Sequence, residues 1–134
     1  MTNTLETMTP DLEWEGPDDQ KAVSVLRERA DDVSIIVWGG DWCGDCEAVL
    51  PSFAAGLEAA GIDPAGVTQY AVEKLADGSK TGPKVEAYDI TLIPTIVVER
   101  NGVELVRYEE AAPVDPLTFI ARGITEELPD TSRQ

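Results

Sequence analysis

The only two cysteines of the chain, Cys43 and Cys46, are separated by two residues in the stretch Trp-Cys-Gly-Asp-Cys at 42–46. Two thiols at this spacing are suited to dithiol exchange. Cys43 would attack a substrate disulfide and form a mixed disulfide, and Cys46 would then attack Cys43 and release the reduced substrate. This pattern predicts a redox centre, with Cys43 as the nucleophile and Cys46 as the resolving thiol.

Two other interpretations of the cysteine pair stay open. A zinc site needs four ligands, and a chain with two cysteines and no histidine could supply them only by dimerising or by recruiting carboxylates. The pair could also be two idle buried thiols. A purely structural disulfide is disfavoured, because a disulfide that closes so short a loop stabilises a fold little. The absence of histidine excludes Cys-His and Ser-His nucleophilic pairs.

The elements around the cysteines would place them at a strand–helix junction. Residues 33–40, Val-Ser-Ile-Ile-Val-Trp-Gly-Gly, form an apolar run that predicts a buried central strand. From Gly44 to about Ala60 the pattern turns helical, with Pro51 inside it. We expect Val49, Phe53, Leu57 and Ala60 to form the apolar face of this helix. The positive end of a helix stabilises a thiolate, which suits Cys43.

The remaining pattern predicts a mixed sheet with flanking helices. A first helix is expected within 16–32, beginning near Pro17, Asp18 and Asp19. Residues 67–74 alternate like a strand, 75–83 read as a loop, and 84–90 as a short helical turn. Asn101-Gly102 predicts an antiparallel hairpin of 95–100 with 103–109. A last helix follows, capped by Asp115, with an apolar stripe at Leu117, Ile120, Ala121, Ile124 and Leu128.

From about residue 18 to residue 128 the sequence resembles the thioredoxin family. The stretch 42–46 is similar to the family motif Trp-Cys-Gly-Pro-Cys, and Pro51 matches the proline that follows it in the active-site helix. The segment 88–105 is similar to the family segment in which a cis-proline, here Pro94, precedes a hairpin. The resemblance implies a thioredoxin-like α/β fold with a mixed central sheet and helices on both faces. The domain would span 17–134, after an acidic extension at 1–16.

The resemblance also implies the partners and the substrate-binding residues. In the family the proline loop packs beside the cysteines, and the backbone before the proline pairs with the bound substrate. The groove would then contain Trp42, Gly44, Ile93, Pro94 and Thr95. The implied activity is the reduction of protein disulfides, with no bound cofactor and with electrons supplied by a separate disulfide reductase. The alternatives are a disulfide oxidase or isomerase of higher potential, and a non-catalytic interaction module.

Two positions depart from the family pattern. Val37 stands where the family has a buried aspartate that helps to move a proton from the resolving cysteine. Asp45 replaces the proline before Cys46, and its carboxylate should oppose ionisation of that thiol by like-charge repulsion. We therefore treat Asp45 as a candidate catalytic residue that accepts the Cys46 proton; the alternative is a solvated surface acid.

Composition limits the partners and the compartment. The 134 residues suit one domain, and the net charge of −16, from 26 acids and 10 bases, disfavours nucleic acid and anionic membranes as partners. We interpret this charge as adaptation to a salt-rich cytoplasm; the alternative is an ordinary acidic protein. The first residues lack a signal-peptide pattern, so we expect a cytoplasmic protein. We also expect it to be a monomer. Residues 1–16 are expected to be loosely ordered or to add an edge strand, with possible anchors at Leu5, Met8, Leu12 and Trp14.

Overall fold

The computed structural model describes residues 5–16, 20–40, 43–109 and 114–127, apart from the side chains of Glu6, Asp45 and Ala65. The described helices are α1 (Lys21–Arg29), α2 (Gly44–Ala59) and α3 (Pro116–Glu127), with 3-10 turns at Glu6–Met8 and Pro64–Gly66. The described strands are β1 (Ser34–Gly39), β2 (Thr68–Ala71), β3 (Glu73–Lys74), β4 (Lys80–Thr81), β5 (Thr95–Arg100) and β6 (Val103–Glu109). In these parts of the chain no helix is both long and apolar enough to cross a bilayer.

The main sheet has the strand order β2-β1-β5-β6. Strand β1 pairs in parallel with β2 and antiparallel with β5, and β5 pairs antiparallel with β6. The sheet is therefore mixed, which confirms the α/β class. Strand β1 lies inside the sheet, with all but its first residue buried, as the apolar run at 33–40 predicts for a central strand. The hairpin is also confirmed, with both turn residues, Asn101 and Gly102, at positive φ.

Helices α2 and α3 cover one face of the sheet, and α1 packs against both of them. Asp115 caps α3 as predicted, since its carboxylate accepts the Thr118 backbone N–H at 3.0 Å. Helix α3 approaches β6 closely at Gly123, where a Cβ would lie 2.5 Å from Cγ2 of Val106. The predicted stripe of α3 is buried through Ile124, and Leu128 lies outside the described residues, as do Pro17, Asp18 and Asp19 before α1.

The opposite face is covered at Trp38 by turns, where the sequence predicted a short helix. The indole ring lies 5.5 Å from the ring of Tyr70 and 4.9 Å from that of Tyr88. Its Nε1–H donates to the carbonyl of Pro83 at 2.9 Å. The helical turn predicted at 84–90 forms as a run of turns in which the Tyr88 N–H donates to the Lys84 carbonyl at 3.1 Å. It does not extend into a regular helix, because Lys84 and Asp89 at its ends have positive φ. The expectation of helices on both faces therefore fails at this position.

The segment after β2 contains a second, smaller hairpin. The sequence predicted one strand at 67–74 and a loop at 75–83, but β2 ends at Ala71, level with the end of β1 at Gly39. The next residues pair with β4 as a separate antiparallel ribbon. An Asp77-Gly78 turn closes this ribbon, with Gly78 at φ 91° and the Asp77 carboxylate accepting the Ser79 N–H. This Asp-Gly pair is a hairpin signal that the loop interpretation overlooked.

Residues 5–14, which we call the N-terminal strap, pack against α2 and form no strand. Leu5 and Met8 are buried in the main core and Trp14 packs at its edge, whereas Leu12 is 96% exposed. The expectation of an edge strand is therefore wrong for these residues. The anchors predicted at Leu5, Met8 and Trp14 are confirmed, and the one at Leu12 is wrong. A distant partner holds the segment: the Leu5 N–H donates to Oε1 of Gln69 at 2.6 Å. The domain boundary at residue 16 stays a prediction.

Replacement of Tyr88 by Phe should lower the free energy of unfolding by about 1 kcal/mol, the usual net value of a hydrogen bond. The Tyr88 hydroxyl donates to Oε2 of Glu99 at 2.6 Å and so ties the turns at 84–90 to β5. This hydrogen bond, with burial and the Glu99 charge, raises the pKa of Tyr88. Urea titrations of both proteins at pH 7, in the same salt, measure the difference.

The same pair gives a pH dependence with a defined sign. Because the pKa of Tyr88 is raised on folding, its stabilising contribution is complete below about pH 10, the ordinary value for tyrosine. It is lost as the pH rises through the higher folded pKa, where a phenolate would face the Glu99 carboxylate. The stability difference between the original protein and the Tyr88→Phe variant should therefore shrink above about pH 10. A constant difference up to pH 11 would contradict this assignment.

Candidate active site

Cys43 lies at the junction of β1 and α2, where it is the N-cap residue of the helix. Its backbone is extended (φ −95°, ψ 118°), and its carbonyl accepts the N–H of Glu47 at 3.1 Å. Its Sγ accepts the backbone N–H of Cys46 at 3.2 Å. The sulfur thus occupies the place of the oxygen in an ordinary Ser or Asp cap. A negative charge on this sulfur would be stabilised by the N–H group and by the helix dipole.

Cys46 follows in the first turn of α2 and is more deeply buried. Its exposed fraction is 0%, against 7% for Cys43, and both cysteines are free thiols. The backbone N–H of Gly40 points to Sγ of Cys46 at 3.5 Å, and the Gly40 carbonyl accepts the Cys43 N–H at 3.1 Å. The difference in exposure supports an order of reaction in which Cys43 meets the substrate first.

The loop before β5 closes over Cys43, although it is 50 residues away in sequence. The Cys43 thiol donates to the carbonyl oxygen of Ile93, with an S–O distance of 3.9 Å. The peptide bond between Ile93 and Pro94 is cis, as the family resemblance implies, and both residues are buried. The backbone of this loop therefore lies within hydrogen-bonding distance of the predicted nucleophile.

Thr95 and Leu92 shape this loop in different ways. The Thr95 side chain is fully buried, and its hydroxyl donates to the Leu92 carbonyl at 2.6 Å. Its hydroxyl is thereby engaged within the loop, so a contact between Thr95 and substrate stays a prediction. Leu92 is 40% exposed, directly before the residue whose carbonyl meets Cys43. Sequence reasoning did not select Leu92, because a leucine before Ile-Pro looks like core.

Three of the predicted site residues are next to the cysteines in the sequence, and the structure describes one of them in full. Gly44 is exposed as the first residue of α2, and a Cβ placed on it would meet nothing within 4 Å. The space beside Cys43 is thus open at this point. Trp42 lies outside the described residues, and so does the side chain of Asp45, so their predicted roles stay predictions.

The sheet face behind the cysteines carries no acid at the position where the thioredoxin family has one. Val37 is fully buried in β1. Its partner across the parallel register is Gln69 of β2, whose amide is engaged by the backbone of Leu5 and Pro64. Neither side chain ionises. The described residues also bring together no group of three or more Cys, His, Asp or Glu side chains that could hold a metal ion.

Comparison of the sequence with the models of known protein families finds no match, and comparison with the curated proteins finds none. The function is therefore inferred from the site itself. It combines a nearly buried thiol at a helix N-terminus, a second thiol one turn further along, and a cis-proline loop in contact with the first.

Proposed function

We propose that this protein is a thiol–disulfide oxidoreductase with a thioredoxin-like fold that reduces disulfides in other proteins. The observation that carries the proposal is the capping of α2 by the Cys43 sulfur, which accepts the Cys46 N–H at 3.2 Å beside the Ile93 carbonyl. A cap that is also a thiol has no structural advantage over Ser or Asp, whereas a thiol stabilised as its anion is the reactive form in disulfide exchange.

In the first step the Cys43 thiolate attacks one sulfur of a substrate disulfide. A bond forms between Cys43 Sγ and that sulfur, the substrate disulfide breaks, and the second substrate sulfur leaves as a thiolate that takes a proton from solvent. The Cys46 N–H and the positive end of α2 stabilise the attacking anion. The open space beside Gly44 lets a polypeptide approach.

In the second step Cys46 resolves the mixed disulfide. The Cys46 thiol loses its proton and its sulfur attacks Cys43 Sγ. The bond between Cys43 and the substrate breaks, and the substrate leaves as a thiolate that takes up a proton. The two electrons gained by the substrate come from the two thiols, which become one disulfide. Cys43 caps α2 and Cys46 lies in its first turn, so closing this bond needs no rearrangement of distant elements. A separate disulfide reductase would return the electrons.

Substrate recognition is expected at the backbone of the proline loop. A peptide attached to Cys43 would lie along Ile93, whose carbonyl already meets the sulfur, and would add to the loop as an extended strand. The exposed side chain of Leu92 borders this position. The mixed sheet order, the cysteines at the β1–α2 junction and the cis bond before β5 support the thioredoxin-like fold.

The activity is tested by following the reduction of a protein disulfide substrate, such as insulin, with a small dithiol as electron donor. The protein should accelerate reduction catalytically, with many turnovers per molecule, in a buffer of molar salt. The matched control is the same protein after alkylation of its reduced cysteines, which should show only the rate of the donor. Equal rates for the two preparations would refute the proposal.

A further inference from the structure

The small hairpin of β3 and β4, residues 73–81, which we call the lysine ribbon, carries two lysines directly opposite each other. Lys74 and Lys80 are register partners, so their side chains lie on the same face of the ribbon. Like charges at opposite positions destabilise a strand pair, and a two-stranded ribbon is itself only marginally stable in water. The two lysines are therefore an unfavourable choice for the stability of the ribbon.

These lysines also differ in sign from most of the charge of the chain. The sequence has 26 acids and 10 bases, yet three of its four lysines, Lys74, Lys80 and Lys84, lie in one segment at 74–84. Lys74 is exposed and Lys80 is half-buried. Ion pairs between described residues involve Arg29 and Arg107, and neither lysine of the ribbon. The ribbon thus presents two positive charges on the surface of an acidic protein.

The acidic side chains of the ribbon lie away from this face. Glu73 pairs with Thr81, and successive residues of a strand alternate between its two faces, so Glu73 is on the opposite side from Lys74. Asp77 is in the closing turn, where its carboxylate accepts the N–H of Ser79 at 2.9 Å and the Ser79 hydroxyl at 2.6 Å. The face with the two lysines is therefore positive.

The ribbon begins at the edge of the sheet that holds the cysteines. Strands β1 and β2 end level with each other at Gly39 and Ala71, and the Val72 N–H donates to the Gly39 carbonyl at 2.8 Å. A Cβ placed on Gly39 would lie 3.5 Å from Sγ of Cys46. Lys74 follows Val72 by two residues, which span at most about 7 Å.

The other end of the ribbon is attached at the same place. Gly82 follows β4 directly, and a Cβ placed on it would lie 2.8 Å from the Ala71 carbonyl oxygen and 3.3 Å from Cα of Val72. A small protein–protein interface buries about 600 Å² per partner, a patch roughly 14 Å in radius. A polypeptide docked on Cys43 would therefore extend over this edge of the sheet, where the ribbon is attached.

We propose that Lys74 and Lys80 form a docking surface for acidic polypeptide segments that flank the substrate disulfide, and so help to determine which proteins are reduced. This inference rests on the proposed function. A chain with a net charge of −16 repels acidic proteins over a screening length of about 10 Å at 0.1 M salt. The two lysines oppose that repulsion beside the cysteines, and complementary charges of this kind raise the rate of encounter.

Three synthetic peptides test this surface. They share one length and one intramolecular disulfide, and the residues flanking that disulfide are acidic, neutral or basic. The second-order rate constant for their reduction by the reduced protein is measured by acid quenching and chromatography, at low salt and in molar salt. The test variant is Lys80→Glu, which places opposite charges across the ribbon and should therefore not weaken its pairing.

The matched control is Arg100→Glu, which changes the net charge by the same amount. Arg100 is exposed at the last residue of β5, whereas Thr95, the first residue of β5, pairs with Trp38 near the end of β1. The control therefore alters the charge at the opposite end of the sheet from the cysteines.

At low salt Lys80→Glu should lower the rate constant for the acidic peptide about fivefold, because an attraction becomes a repulsion. It should raise the rate constant for the basic peptide and leave that for the neutral peptide unchanged. Lys74→Glu should alter the selectivity in the same direction, whereas Arg100→Glu should change each rate constant less than about twofold. In molar salt, where the screening length is about 3 Å, the differences between the peptides should largely disappear.

Relative rates for the three peptides that are the same in the original protein and in Lys80→Glu would overturn the docking surface and leave the proposed function intact. A loss with the acidic peptide that is equally large in Arg100→Glu would assign the selectivity to the overall charge, and would also overturn it. Failure of the original protein to reduce any of the peptides would overturn both proposals.

Discussion

Replacement of Cys46 by serine should trap substrate proteins on Cys43 as mixed disulfides, whereas replacement of Cys43 by serine should abolish both capture and turnover. The reason is the order of the two steps: Cys43 is the more exposed thiol and caps α2, and Cys46 is fully buried behind it. Loss of the nucleophile should reduce turnover by several orders of magnitude, as nucleophile removal does elsewhere.

Non-reducing electrophoresis after incubation with a disulfide-containing protein measures the capture. The Cys46→Ser variant should give a covalent adduct that a dithiol cleaves by reduction. Cys43→Ser, in which Cys46 is intact, serves as the matched control. Adducts formed equally by both variants, or mainly through Cys46, would reverse the assignment of nucleophile and resolving thiol. Adducts with neither variant would remove the basis for covalent exchange.

Replacement of Trp38 by alanine should destabilise the fold by about 3–5 kcal/mol, the range for a large aromatic side chain in a core. Trp38 is fully buried, packs between Tyr70 and Tyr88, and donates to the Pro83 carbonyl. It therefore attaches the turns at 82–90 to β1. Since a domain of this size has about 5–15 kcal/mol of stability, this variant should lose a large fraction of its stability.

A graded pair of variants tests the two contributions of Trp38. Trp38→Phe keeps an aromatic ring but leaves the Pro83 carbonyl without its indole donor, so we expect a loss of about 1–3 kcal/mol. Trp14→Phe is the control, because Trp14 is only partly buried at the edge of the core. Urea titrations in the same salt give the differences. A Trp38→Phe protein as stable as the original would show that the indole hydrogen bond contributes nothing.

The parts of the fold that local signals determine could be predicted from the sequence. The apolar run of β1, the Asn101-Gly102 turn and the Asp115-Pro116 start of α3 each depend on neighbouring residues, and all three are confirmed. The cysteine pair could be selected from its spacing. Its position at the N-terminus of α2 followed from where the apolar run ends and the helical pattern begins.

The parts that depend on distant partners could not be predicted. Leu5 is buried because Gln69, 64 residues away, accepts its N–H, and neither residue carries a local signal of that contact. The turns at 84–90 depend on two residues with positive φ, Lys84 and Asp89, which are not glycines. The packing of Leu5 against Gly39 could not be predicted for the same reason, because a leucine in an acidic N-terminal segment gives no indication of which buried group it meets.

The most direct test of the central claim is the reduction potential of the Cys43–Cys46 pair. Equilibration with dithiol buffers in molar salt, followed by thiol trapping, gives the value. For a protein-disulfide reductase we predict a potential near about −270 mV, the region of thioredoxins. A value between about −180 and −120 mV, the range of disulfide isomerases and strong dithiol oxidants, would contradict reduction as the activity. A cysteine pair that forms no disulfide at any redox potential of the buffer would contradict dithiol exchange altogether.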